Sequence, residues 1–375
     1  MRVLIAFDKF KDALSAGEAC TVAAAAIRAK HPHWQLDLCP LTDGGEGFCE
    51  TLTSAAHGRI ETVAVSGPRG GQVRAPVGFV DRKNIPAAAA RRIPVGERIA
   101  IVDLPSASGI ELLPPAERNP WVTTTFGTGE LLRHAAASRA DAILLGVGGS
   151  ATNDLGLGAL AALGLHCDRT GGTPLLPPVP GRWTEITQLS GDVELPPVYI
   201  ACDVTNPLLG PRGATVTFGP QKGLAAGDVR RLESQVARMA LMLCHHFNKP
   251  DSLMDAAGTG AAGGIAFGLM TACDAKLVPG FDLVSDWLDL PARIAAADVV
   301  ITGEGRFDAT SLGGKGPGSL FAGARRLGKR ALVFTGSLGV EPDEGLHAIT
   351  PAGLPLAAAL PRTAEFLAAA ISRNL

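Results

Sequence analysis
The chain has 375 residues, more than one hydrophobic core usually serves, so two domains, or one inserted into another, are expected. With 46% hydrophobic and 19% charged residues it is excluded from the disordered class. Its 34 basic and 36 acidic side chains leave a formal charge of -2, no field to attract nucleic acid or an anionic bilayer. No stretch reaches the roughly 18 uncharged apolar residues of a spanning helix, and the opening run is too short for a secretion signal, so a cytoplasmic protein is expected. Seven scattered cysteines without a C-x-x-C pair favour neither a disulfide framework nor a zinc cluster.

In chain order, Val3 to Phe7 is a continuous apolar run suited to a strand buried on both faces of a parallel sheet. A loop, Asp8-Lys9-Phe10-Lys11, follows. Ser15 and Glu18 form an S-x-x-E capping box that announces a helix over residues 19–30, and Pro32 ends it. Leu36 to Leu41 reads as a second strand, with Asp43-Gly44-Gly45-Glu46-Gly47 at its carboxyl end.

Between about Ile60 and Leu113 the texture changes to short alternating segments around Gly67-Pro68, Gly70-Gly71 and Asn84-Ile85-Pro86, which read as hairpins. The α/β pattern then resumes: a helix over 130–138, a strand over 142–147, the loop Gly148-Gly149-Ser150-Ala151-Thr152-Asn153-Asp154 and an Ala/Leu-rich helix. Strands are expected at 198–202 and 215–218, helices at 229–246 and 264–272. The last third alternates cleanly, with strands at 298–302 and 331–335 and helices at 320–327 and 364–373. The economical arrangement is α/β: a discontinuous Rossmann-like parallel-sheet domain from residues 1–60 and 290–375, with a second α/β domain, hairpin-rich at its start, inserted over 61–289.

Five apolar runs end in loops that carry glycine and an acid: Asp8; Asp43 with Glu46; Asp154; Asp203; Glu304 with Asp308. Ligands of parallel α/β sheets bind outside the carboxyl ends of strands, so acids recurring there can converge on one cleft. Each taken singly reads equally as a helix cap or turn residue. Carboxylates beside glycine loops suit phosphoryl transfer, because loop N–H groups bind phosphate oxygens while carboxylates or their waters hold Mg²⁺ against the phosphates. Residues 146–154, directly after a strand and before a helix, form the best cradle. Lys9, Lys11, Lys222 and Lys315, all in glycine-rich or strand-terminal loops, are the candidate cations, with solvated surface lysines as the plain alternative.

Two further segments imitate known fingerprints. Gly258-Thr259-Gly260-Ala261-Ala262-Gly263 fits G-x-G-x-x-G, but no buried strand precedes it. Ala309 to Lys315 resembles a P-loop, yet Ala309 replaces its first glycine and Gly316 its Ser or Thr. His245-His246 and the other histidines lack metal-ligand spacing.

With these residues the sequence resembles the bacterial glycerate kinase family, of the two-domain glycerate 2-kinase type. The likeness rests on Asp8 to Ala16 (D-x-F-K-x-x-L-S-A), residues 43–47, 148–154, 201–208, 219–223, 260–264 and 302–308, seven ordered motifs across essentially the whole chain. Two places depart: Asp12 stands where the family usually has a small residue, and Ala309 with Gly313-Gly314-Lys315-Gly316 replaces a Gly and a His-Gly-Lys-Thr run.

The resemblance implies that ATP and D-glycerate are converted, with Mg²⁺, to ADP and a phosphoglycerate, the 2-phospho isomer first. It also implies two α/β domains with the active site between them. On this expectation Asp203 or Asp43 accepts or orients the hydroxyl proton, while Lys11 and Lys222 neutralise the substrate carboxylate and the developing phosphate charge. Glu46, Glu304 and Asp308 hold the metal or its waters. Asp8, Gly44, Gly45, Gly148, Gly149, Ser150, Thr152, Asn153, Asn206, Glu304 and Gly305 line the substrate and nucleotide sites. The alternatives are a nicotinamide-dependent hydroxy-acid oxidoreductase and a non-catalytic hydroxy-acid receptor. Partners beyond small molecules are not indicated, and a homodimer is left open.

Overall fold
The structure, a computed structural model, describes residues 1–375 except 313–315 and 342, together with the side chain of Thr310. The lysine expected at position 315 therefore lies outside the described residues. The chain forms two compact units, the first from Met1–Asp43 and Val284–Leu375, the second from Gly44–Leu283.

The first unit is built on a five-stranded sheet in the order Leu346–Ala348, Arg330–Thr335, Val299–Gly303, Arg2–Phe7, Gln35–Leu38, with every pairing parallel. Counted in chain order within the unit this is the doubly wound order 2-1-3-4-5. Its central strands are buried on both faces, which is why Val3 to Phe7 reads as an unbroken apolar run. Helices Ala16–Lys30 and Thr363–Asn374 pack together over one face, placing Cys20, Ala23, Ile27, Leu367 and Ile371 on Val3, Ile5, Val299 and Phe334. Helix Gly316–Arg326 packs on strands Val299–Gly303 and Arg330–Thr335.

The capping box is present: Glu18 N–H donates to Ser15 Oγ at 3.2 Å and the Glu18 carboxylate accepts from Ser15 N at 2.8 Å. The second strand ends at Leu38 rather than Leu41, ahead of Pro40. Cys39 and Leu41 on either side still donate to the carbonyls of Ile5 and Phe7.

The second unit holds a six-stranded sheet, running sequentially from Arg59–Ser66 and Gln72–Asp81 through Arg98–Asp103, Ala142–Gly146 and Val198–Ala201 to Lys276–Val278. The first two strands form an antiparallel hairpin and Gln72–Asp81 pairs antiparallel with Arg98–Asp103, while the remaining pairings are parallel. The compact units divide at 43/44 and 283/284, where the change of texture suggests 60 and 290. Helix Phe48–Ala55 accounts for the earlier division, since it packs on Gln72–Asp81 and Arg98–Asp103 of the second unit.

One element is corrected. Residues 215–218, whose Thr-Val-Thr-Phe composition suggests a strand, lie in a short helix, Ala214–Phe218. It packs between helices Val229–His246 and Ala261–Cys273, and that tertiary setting overrides β-branched propensity. Replacing Ser15 by Ala should lower the unfolding free energy by about 1 kcal/mol in urea titration, the usual value of a lost N-cap.

Candidate active site
The order of the first sheet reverses between Arg2–Phe7 and Val299–Gly303, and ligands of open α/β sheets bind at such a switch point, outside the strands' carboxyl ends. The residues immediately beyond those two strands are Asp8 and Glu304. Asp43, in the loop after the neighbouring strand, is close enough to act electrostatically on both.

Burial is the main cause of an upward shift at Asp8, to about 7. The Asp43 charge adds to it, and the Lys9 amide, donating to Asp8 Oδ1 at 2.7 Å, and the Lys9 ammonium oppose it. Glu304 is raised as well, first by burial and then by Asp308 and Asp43, against a hydrogen bond from Ser311. Its Oε1 is buried without a hydrogen-bond partner among the described residues. Asp308 pairs with the exposed Arg306 at 3.3 Å.

The first loop explains one departure from the family pattern. Phe10 is 2% exposed and closes the turn by accepting at its carbonyl from Ala13 and Leu14, which leaves the half-buried Lys9 and the exposed Lys11 on either side of it. Asp12 takes φ 60°, a left-handed position suited to a small residue and, among larger ones, to Asp or Asn. Gly305 keeps this loop near, since a Cβ there would stand 3.3 Å from Lys11 N. Gly316, in helix Gly316–Arg326, would place its own Cβ 3.8 Å from Asp8 Oδ2.

The second unit gathers the glycine loops. Gly148 N–H donates to Gly44 O at 2.9 Å. A Cβ on Gly148 would lie 2.7 Å from Gly45 Cα, and one on Gly149, at φ 70°, only 2.1 Å from Glu46 Oε1. The segment Gly44-Gly45-Glu46 therefore lies directly on Gly148-Gly149, at the carboxyl end of strand Ala142–Gly146. Beyond it Thr152 and Asn153 are 0% and 1% exposed, and Thr152 Oγ1 and Asn153 Oδ1 are buried with no hydrogen-bond partner among the described residues. Asn153 Nδ2 donates to Thr215 Oγ1 at 3.1 Å.

The G-x-G-x-x-G segment serves this same loop. A 3-10 helix, Asp251–Asp255, precedes it where a dinucleotide fold would have a strand. Ala262, Gly263 and Gly264 adopt φ of 51°, 73° and 91°, and a Cβ on Gly263 would sit 2.1 Å from Thr152 O. The glycines thus let one backbone pass against another.

Several expected residues have structural partners. Lys222, proposed from sequence to face substrate, is 2% exposed and its Nζ donates to Ser150 Oγ at 2.7 Å and to Thr152 O at 2.5 Å. Burial pushes its pKa down to about 7, opposed by the charge of Asp154. Asp154 itself is fully buried and accepts from Thr125 N and Oγ1 and from Gly156 and Gly158 amides, so it anchors the loop. Asp203 Oδ2 accepts from Phe281 N at 2.9 Å in the first turn of helix Gly280–Trp287. Asn206 Nδ2 closes its own loop on Arg212 O and Thr217 Oγ1.

The expected metal set is divided between the units, Glu46 in the second and Glu304 with Asp308 in the first. Among the described residues no three His, Cys, Asp or Glu side chains converge as a metal cage. Asp103, which the sequence reading passed over, is a fully buried carboxylate pushed up to about 6 by desolvation. It accepts from the Ser106 hydroxyl and from Cys49 N, fixing the start of helix Phe48–Ala55 behind the Gly44–Glu46 segment. Its signal was an apolar run, Ile99 to Val102, ending in an acid like the other five.

A family model described as the glycerate kinase family matches residues 3–374. The chain belongs to that family. Membership makes it an ATP-dependent kinase. It is 35% identical to a glycerate kinase of Halalkalibacterium halodurans over 96% of this chain and 90% of that one. It is also 35% identical to the glycerate 2-kinase of Escherichia coli over 93% of this chain and 90% of the relative. A crystal structure from Salmonella typhimurium LT2, of a candidate glycerate kinase 2, superposes with a TM-score of 0.76 at 35% identity, covering 100% of this chain and 96% of that one. The α/β architecture is thus the family's own.

The raised pKa of Asp8 has a stability consequence. Between the ordinary aspartate value of 3.8 and about 7 the folded chain holds a proton that the unfolded chain releases, so this contribution is full below 3.8 and lost as pH rises through 7. Asp8→Asn, whose amide oxygen can still accept from Lys9 N, should therefore be more stable than wild type at pH 8, by on the order of 2 kcal/mol. The gain should disappear near pH 4, as read from urea midpoints.

Proposed function
We propose that the chain transfers the γ-phosphoryl group of ATP to a hydroxyl of D-glycerate, giving 2-phosphoglycerate, with Mg²⁺ as the accompanying ion. The observation that carries this is the crowding of Asp8, Asp43 and Glu304 at the switch point of the first sheet. Burial and the charges of Asp43 and Glu304 raise the pKa of Asp8, and burial with the charges of Asp308 and Asp43 raises that of Glu304, a strain that a divalent cation would relieve.

The residues fit magnesium. Glu304 Oε1, buried and without a hydrogen-bond partner among the described residues, and the adjoining Asp308 offer oxygens, and magnesium needs only one or two carboxylates because it keeps several waters and takes phosphate oxygens. When bound, the ion would supply positive charge against the β and γ phosphates.

The chain's own groups do the rest. Gly148 to Asn153, with Gly44 and Gly45 against them, would present backbone to phosphate oxygens, and Thr152 Oγ1 and Asn153 Oδ1 are polar atoms with no hydrogen-bond partner among the described residues. Lys11 would meet the carboxylate of the hydroxy acid. Asp43 or Asp203 takes the proton from the attacking hydroxyl. The 2-phospho product is favoured by the name of the Escherichia coli relative, glycerate 2-kinase. No helix among the described residues is long and apolar enough to cross a membrane, in keeping with a cytoplasmic enzyme acting on small molecules. A homodimer stays an open part of the reading, for light scattering to decide.

A coupled ADP-release assay should show turnover with D-glycerate and Mg²⁺ and none when EDTA removes the metal, and phosphorus NMR should place the new phosphate on the 2-hydroxyl. Metal-independent ADP release, or turnover indifferent to D-glycerate, would sink the proposal. Asp43→Asn and Asp203→Asn separate the candidate bases: the true one should lose about 10²–10⁴-fold in kcat, and the other should stay within tenfold of wild type. If neither variant loses more than tenfold, both are removed from the role.

A further inference from the structure
Lys222 is the least expected placement in the molecule. A lysine next to glycine in the turn Gly219-Pro220-Gln221-Lys222-Gly223 suggests a solvent-facing cation, yet the side chain is 2% exposed. Its Nζ is shared between Ser150 Oγ at 2.7 Å and Thr152 O at 2.5 Å, two residues apart on the loop that carries Gly148 and Gly149. The nearby charge of Asp154 is already held by Thr125, Gly156 and Gly158. Two of its three N–H donors are taken, and with Nζ inside the core a substrate oxygen could reach the third only by opening the packing around it.

The turn itself is rigidly placed. Lys222 N donates to Gly219 O and Leu224 N to the same carbonyl, while Gly223, at φ 88°, lies so close to Arg118 that a Cβ would meet its carbonyl at 2.0 Å. On its far side the loop is bracketed by Gly263, whose Cβ would strike Thr152 O. The carbonyl of Thr152 is thus fixed from two directions, by a buried ammonium and by a left-handed glycine.

We infer that Lys222 is a positioning residue that fixes the Gly148–Asn153 loop through Ser150 and Thr152, and that it does not touch substrate. The inference rests on the proposed role of that loop as a phosphate cradle. Its purpose is preorganisation: the loop amides are already aimed when phosphate arrives, so binding does not have to order them.

Steady-state kinetics on the full chain test it. Lys222→Met keeps the length of the side chain and removes both bonds. It should raise the KM for ATP at least tenfold while leaving the KM for D-glycerate within twofold. Ser150→Ala should raise the ATP KM severalfold, and the double variant should be no worse than Lys222→Met alone, because both act through one contact. A selective rise in the D-glycerate KM would overturn the inference by showing direct contact with the acid, and so would additive effects in the double variant.

If Lys222→Met gives no cooperative unfolding transition, Ser150→Ala decides alone, and an unchanged ATP KM refutes the inference. Gly149→Ala is the control for the cradle. If it leaves the ATP KM unchanged, the reading of the loop fails, and the role of Lys222 falls with it. If it raises the ATP KM while Lys222→Met does not, only the role of Lys222 is lost.

Discussion
The arrangement depends on carboxylates held where water is scarce. A parallel sheet brings the ends of its strands to one edge, and in the first unit that edge presents Asp8 and Glu304 side by side with Asp43 near both. Uncompensated, such a group costs stability, and burial with neighbouring negative charge raises both Asp8 and Glu304 from their ordinary pKa values. Stability given up at a ligand site is the usual mark of a place awaiting its counter-charge. The rest of the first unit, with central strands buried on both faces and helices packed over them, keeps these groups from moving apart.

The second unit solves a different problem, that of presenting backbone rather than charge. Glycine at 146, 148 and 263 lets main chain lie against main chain at distances that exclude a Cβ. Ionised or polar side chains then hold the loops from behind: Asp103 at the start of helix Phe48–Ala55, Asp154 on the Thr125 turn, and Lys222 under Ser150 and Thr152. These groups are buried and bonded. They shape the surface that meets ligand without themselves forming it.

Much of the first unit was legible because its signals are local. The run Val3 to Phe7 and the pair Ser15 and Glu18 carry their own physics in adjacent residues, and the element they specify is present. The order of the strands is not local, and it is the order that makes Asp8 and Glu304 neighbours. The seven ordered motifs named the family correctly, but they did not tell a lysine beneath a loop from one above it. Burial of Lys222 depends on packing of the Gly219–Gly223 turn against Arg118, over a hundred residues earlier in the chain. The segment Thr215 to Phe218 was misread for a related reason: β-branched composition records what a residue tolerates, and neighbouring helices decided otherwise.

The sheet of the first unit has a further consequence, for synthesis. Strand Arg2–Phe7 leaves the ribosome well before Val299–Gly303, yet it lies between Gln35–Leu38 and that strand, and the register joins Val3 to Val299. At about 5–20 residues/s, that second neighbour emerges roughly 15–60 s later. Throughout that interval an apolar strand has one edge without its hydrogen-bonding neighbour, while the intervening residues of the second unit have everything they need to fold. Until Val299–Gly303 arrives, that unpaired edge is open to mispairing with other strands.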